Sequence, residues 1–227
     1  MTIADNLARI NERIRAAAEK AGRNPASVRL VAVSKTRPSA DIVSAFQSGQ
    51  IFFGENYIQE LVPKLAEIQE AVQWHVIGHL QSNKVKYIAG QVEMIHSVDR
   101  ISLAQEIDRQ WGKLGKTCDV LIQVNISGEV TKSGTTEEGA IQLVRECALL
   151  RNIRIKGLMT MPPFFDDPEA AQPYFAELRR LAEVIAALQI AEVDMTELSM
   201  GMSGDFEAAI MEGATLVRIG SAIFGER

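Results

Sequence analysis

The sequence predicts an α/β protein, a (β/α)8 barrel with an extra N-terminal helix. Apolar, β-branched stretches alternate with helical patterns to give eight strands, and no linker or low-complexity tract interrupts the series. The most unusual polar residues also fall at the C-terminal ends of those stretches, where barrels gather their sites. A doubly wound open sheet would share the alternation, but no GxGxxG follows the first strand. Barrels often reach 227 residues as one unit, so residues 1–227 are expected to form a single domain.

Ile3, Leu7, Ile10 and Ile14 recur at three-and-four spacing, which predicts an amphipathic helix over 3–21, closed by Gly22 and the Asn24-Pro25 breaker. RLVAVSK (29–35) then reads as the first strand, and Pro38 introduces a helix over 39–47. Further strands are expected at 51–56, 74–79, 94–98, 120–126, 155–161, 198–202 and 216–220. Helical patterns cover 103–114, 137–150 and 170–188.

Composition narrows the function classes. With 47% hydrophobic and 23% charged residues, the chain has the balance of a folded globular protein. A formal charge of −5 with mixed signs offers no cationic stripe for nucleic acid. No apolar run is long enough to span a bilayer, and the charged N-terminus lacks the apolar core of a secretory signal, so a cytoplasmic location is expected. Cys118 and Cys147 stand apart, without CxxC or metal spacing, and read as buried thiols.

The chemistry-bearing residues gather at the expected mouth. Val31, Val33 and Lys35 share a face by the two-residue strand period, so inward valines would bring Lys35 inward at the end of the first strand. Desolvation there favours the neutral amine that attacks aldehydes, although a lysine just past a strand can also turn to solvent. Leu216, Arg218 and Gly220 share a face in the last strand, and an inward Arg218 requires an acceptor. That acceptor is a ligand ring nitrogen, a ligand phosphate, or an acidic side chain such as Glu55. The segments SMGMSGDFEAAIMEG (199–213) and RIGSAIFG (218–225) let the backbone approach a ligand closely and read as a phosphate cup. Asn56 and His79 end the second and third strands and are expected around the same mouth. His75 shares a face with His79, but with no third ligand no metal site is expected. His96 reads as structural, and Met159 and Met200 are candidates to touch a flat ring.

At these residues the sequence resembles the pyridoxal phosphate homeostasis protein family. VAVSKT, FGENYIQE, WHVIGHLQSNK, GLMTM, LSMGMSGDFEAAI and VRIGSAIFG carry the resemblance over essentially the whole chain. It implies a barrel like the N-terminal domain of alanine racemase and pyridoxal 5′-phosphate (PLP) held on Lys35 as an internal aldimine. It further implies Arg218 at the pyridine nitrogen, and Ser199, Gly220 and Ser221 at the phosphate, with Ser221 where many relatives have threonine. Asn56 and His79 would line the ring. The implied role is intracellular PLP homeostasis without efficient turnover, in a monomer that partners PLP-dependent apo-enzymes.

Two rivals use similar parts. A racemase-like PLP enzyme would share the lysine, but its second, β-rich domain is not expected in a chain ending at Arg227; of Tyr57, Tyr87 and Tyr174, only Tyr57 follows a strand closely enough to approach the mouth. A cofactor-free aldolase would also use a barrel lysine, usually on a later strand than the first.

Overall fold

The computed structural model describes residues 2–129 and 131–225. Eight parallel strands close into a barrel in sequence order: β1 (Arg29–Val33), β2 (Phe52–Glu55), β3 (Gln73–Val76), β4 (Met94–Val98), β5 (Cys118–Gln123), β6 (Ile153–Met159), β7 (Val193–Ser199) and β8 (Leu216–Ile219). Closure joins β1 to β8, with Val31 opposite Arg218. Around the barrel run α2 (Ser39–Gln47), α3 (Ile58–Glu67), α4 (Ile101–Gly112), α5 (Glu137–Cys147), α6 (Gln172–Ala187), α7 (Phe206–Met211) and α8 (Ser221–Phe224). A 3-10 turn at Ser82–Tyr87 replaces the helix after β3 and carries Lys84 and Lys86.

Strand alternation divides the core in two. Val31, Ile77, Met94, Leu121, Met159 and Leu216 fill the barrel interior. Their neighbours Leu30, Ala32, Phe53, Trp74, Val76, Ile95 and Val217 belong to the larger layer under the helices. Cys118 and Cys147 are free and buried, and burial raises both thiols above their ordinary range.

The extra helix α1 (Ile3–Lys20) begins with a reciprocal capping box between Thr2 and Asp5. It buries Leu7, Ile10 and Ile14 and lies against α2, α7 and α8. This position has a simple cause: α7 has only six residues and α8 only four, too little helix to cover the last two strands alone. Asn6 Nδ2 donates to the Ile223 carbonyl at 2.8 Å, and Arg13 pairs with Glu207 at 2.7 Å, tying α1 to both short helices.

Seven of the eight strands end earlier than their residue pattern suggests, β4 alone matching its expected range. The first leaves the ladder after Val33 rather than Lys35, and the seventh ends at Ser199 rather than Met202. The apolar or alternating pattern continues because these residues still face the core or the mouth, while their backbone has already turned. The seventh also starts earlier, at Val193, where a partly exposed stretch containing Asp194, Thr196 and Glu197 hides the strand from an apolar pattern.

Candidate functional site

A cavity of about 300 Å3 opens at the C-terminal mouth of the barrel, lined in part by Val33, Lys35, Met202, Arg218, Gly220 and Ser221. Lys35 lies in the turn after β1 and is half-buried. Its neighbours are pinned from outside the barrel. Ser34 Oγ donates to Glu55 Oε1 at 2.7 Å, Lys64 Nζ donates to the Ser34 carbonyl at 2.8 Å, and the Thr36 N–H donates to Glu60 Oε2 at 2.6 Å. Thr36 adopts a positive φ of 62°, a conformation that these bonds help to hold.

Glu55 therefore does not serve Arg218. It is fully buried on the outward face of β2 and pairs with Lys64 on α3 at 2.6 Å. Burial raises its pKa, while the bonds from Lys64 and Ser34 oppose that rise. Lys64→Met would strand the carboxylate beneath the Lys35 turn, and we expect it to cost about 3 kcal/mol of stability. Urea unfolding checks this, with Glu55→Leu/Lys64→Met expected to recover most of the loss.

Arg218 is the deep cation of the site, only 4% exposed. Its Nη1 donates to Ser199 Oγ, and its Nη2 donates to the Thr160 carbonyl at 2.9 Å. Two of the five guanidinium N–H donors are thus used within the protein, and the side chain still lines the cavity. Burial lowers its pKa to about 10, a shift opposed by the charge of Asp205, so the group stays protonated at neutral pH.

Two turns complete the lining. Gly201, at φ 89°, lets the chain fold back so closely that an added Cβ would lie 2.6 Å from Ala209 Cβ. This return delivers Ser203 and Gly204 to the cavity, and the Gly201 carbonyl accepts the Arg218 backbone N–H at 3.0 Å. Ser221 Oγ lies 3.3 Å from Ser203 Oγ, so two hydroxyls converge beside the glycines. Ser221 and Ala222 also begin a helix, where backbone N–H groups have no intrahelical partner. Asp205 is the carboxylate of this wall; its Oδ1 accepts the Met202 N–H at 2.6 Å, and burial raises its pKa.

Of the residues singled out in the sequence, Lys35, Arg218, Gly220 and Ser221 come together in the cavity wall, whereas Asn56, His79 and Ser199 stand outside it. Ser199 is fully buried beneath Arg218, with its hydroxyl in contact with the guanidinium and with His96. His79 is exposed, 4.0 Å from Asp99, and Asn56 is half-buried with its backbone against Gly78. Tyr57 is 54% exposed and does not line the cavity. Met159 and Met200 are buried in the two core layers, and Met202 takes the place beside the cavity. The sequence reading did not single out Phe164, Phe165 or Thr160. Their signal was the MTMPPFF stretch after β6, where a strand meets Pro162 and Pro163 and then two aromatics. Among the described residues, no group of three His, Cys, Asp or Glu could hold a metal ion.

The fold and this mouth define an alanine-racemase-type barrel: residues 6–227 match the family model described as alanine racemase, N-terminal domain. An alanine racemase from Clostridium difficile shares the fold at a TM-score of 0.71 and 18% identity, with this chain covering 57% of it. Within that class, a pyridoxal phosphate homeostasis protein of Aquifex aeolicus is 44% identical over 228 residues, which cover 100% of this chain and 99% of that protein. PipY of Synechococcus elongatus, in a structure described as having PLP bound, superimposes with a TM-score of 0.86 at 35% identity, covering 99% of this chain and 100% of that one. The chain belongs to the pyridoxal phosphate homeostasis protein family.

Proposed function

We propose that this protein holds PLP in the mouth cavity, joined to Lys35, and serves in cofactor homeostasis rather than in efficient turnover. The observation that carries the reading is that one cavity presents an amine and a buried guanidinium in the same wall as a turn of glycines and hydroxyls. The volume lies at the small end of ligand pockets, suited to a single flat ring. PLP brings an aldehyde that condenses with an amine, releasing water, and a ring that withdraws electrons from bound amino acids.

Each part of the wall has a role in this reading. Lys35 Nζ supplies the amine. Arg218 donates to the ring nitrogen, since its place in the barrel interior sets it apart from the glycine turns. Gly220, Ser221, Ser203 and Gly204 receive the phosphate through backbone N–H and hydroxyl groups. Asn56 and His79 stand farther out, where the ring edge or the opening is the part they can reach. Ser199 acts through Arg218.

Arg218 also supports the non-catalytic half of the proposal. A guanidinium with a pKa of about 10 keeps its protons, so the ring nitrogen stays unprotonated and withdraws electrons weakly. Among the described residues of the wall, Asp205 is the one carboxylate, and its Oδ1 is engaged by the Met202 N–H; no tyrosine, histidine or cysteine joins it. No described helix is long and apolar enough to cross a membrane. A monomer in the cytoplasm that delivers PLP to apo-enzymes completes the reading.

The test uses the purified protein with PLP and a panel of L- and D-amino acids in deuterated buffer. We expect a visible absorption band that borohydride abolishes, with no α-deuterium incorporation at an enzyme-like rate. Rapid incorporation that Lys35→Ala removes would establish an enzyme instead. Activation of an apo-enzyme by loaded protein, in the presence of a trap for free PLP, checks direct delivery.

A further inference from the structure

Four buried polar side chains cross the apolar barrel interior in one hydrogen-bonded line. Arg218 Nη1 donates to Ser199 Oγ, which lies 2.9 Å from His96 Nδ1; His96 Nε2 in turn lies 2.8 Å from His75 Nδ1. At the far end, His75 Nε2 is buried and finds no hydrogen-bond partner among the described residues. The His75 ring stands edge-to-face with Phe52, with centroids 5.6 Å apart.

Counting donors gives the line a direction. A guanidinium only donates, so Ser199 Oγ must accept from Arg218. If the single hydroxyl proton of Ser199 goes to His96 Nδ1, His96 carries its own proton on Nε2 and donates to His75 Nδ1. One unpaired N–H then remains, at His75 Nε2. In the opposite direction, Ser199 accepts from both sides, its proton has no partner in the line, and His75 Nε2 is a bare acceptor. That arrangement leaves two buried groups unmet instead of one, and each unmet group is costly. Burial also favours the neutral form of both imidazoles, as either tautomer assignment requires.

We infer that Ser199, His96 and His75 form a one-way tautomer relay that holds the Arg218 guanidinium in place for the ring nitrogen of the cofactor. His96 and His75 are then positioning residues, although neither lines the cavity. Hydrogen bonds aligned in one direction polarise one another, so Ser199 Oγ becomes a stronger acceptor for Arg218 than an isolated hydroxyl. The Thr160 carbonyl fixes the second nitrogen, and the two anchors together orient the guanidinium plane. The inference rests on the PLP reading above for its ligand, but the direction of the relay is a property of the unliganded protein.

The test therefore has two arms. In the first, nitrogen NMR of histidine-labelled, PLP-free protein reads the tautomers directly. We expect His75 and His96 both to carry the proton on Nε2; a proton on Nδ1 of either ring would overturn the relay.

In the second arm, PLP is titrated into the wild type and into Ser199→Ala, His96→Leu, His96→Gln and His75→Leu. Affinity is expected to fall about tenfold in Ser199→Ala, which removes a hydrogen bond to a charged group, and progressively less in His96→Leu and His75→Leu. The visible band should move in the same order. His96→Gln can accept from Ser199 and donate to His75, so it should return the affinity to within about threefold of wild type. Equal affinity and an unmoved band in folded variants would refute the positioning role, as would a failure of glutamine to rescue. Wild-type protein that forms no visible band with PLP would refute the cofactor reading itself and leave the NMR result to judge the relay.

Discussion

Lys35→Ala is expected to abolish covalent attachment of PLP while leaving the barrel folded. Lys35 joins two conditions: its side chain lines the cavity, and its Cα sits in a turn pinned on both sides, through Ser34 and Thr36. Other lysines fail one or both. Lys64 is buried outside the barrel and engaged by Glu55 and the Ser34 carbonyl, while Lys84 and Lys86 stand near the Tyr87 ring on the turn after β3. Loss of the half-exposed Lys35 side chain removes no large apolar group from either core layer, so thermal stability should change little. Borohydride reduction followed by intact-mass measurement checks the prediction. Wild type should gain one reduced PLP adduct and Lys35→Ala none, and an undiminished adduct on the variant would assign the linkage to another lysine.

The second expected result concerns acid. His75 and His96 are buried and meet no carboxylate among the described residues, and burial pushes the pKa of His75 down to about 3, with the nearby charge of Arg29 adding to the shift. His96 lies well below the ordinary histidine value for the same first reason, with His75, Arg218 and Arg29 as further causes. The sign follows from proton counting. Below the unfolded value of 6.5, the unfolded chain binds protons on both rings and the folded chain does not. The stabilisation is therefore complete above pH 6.5 and is lost as pH falls towards 3.

His75 contributes about 1.4 kcal/mol per pH unit below 6.5, so it should remove about 2 kcal/mol between pH 7 and pH 5, and His96 adds to the loss in the same direction. Glu55 and Asp205 work in the other direction, because burial raises their folded values and they take up protons in the folded state first. Their contribution grows as pH falls through those raised values and opposes the histidine loss, so the difference between the wild type and a variant without the two histidines isolates their part. Urea unfolding at closely spaced pH values provides the measurement, with His75→Leu/His96→Leu expected to flatten the profile from pH 7 to 5. A flat wild-type profile, or a double variant with the wild-type slope, would contradict the prediction.

Much of this architecture is readable from the chain because its signals are local. Strand parity correctly aims Val31 and Arg218 into the barrel, and the spacing of Leu7, Ile10 and Ile14 marks the buried face of the first helix. Parity becomes ambiguous at the strand ends. His79 continues the inward series of His75 and Ile77 on paper, yet the chain has left the ladder after Val76, and His79 turns to solvent. Ser199 shows the opposite limit: its position at the end of β7 is legible, but whether its hydroxyl meets a ligand or a guanidinium depends on Arg218, 19 residues away.

By itself, the sequence determined the eightfold alternation, the inward arginine of the last strand, the lysine at the end of the first, and the small-residue turns beside them. Those features depend on the two-residue period of a strand and on the conformational freedom of glycine, both of which are set by neighbouring residues. Only the tertiary structure decided what each polar group is paired with. It gave Glu55 to Lys64 rather than Arg218, and it set Ser199 beneath the guanidinium. It also joined His75 to His96 across two strands in a line that ends at the mouth. The physical reason is that a buried polar group takes the partner that closure of the barrel brings within hydrogen-bond reach, and no local pattern in the chain encodes that distance.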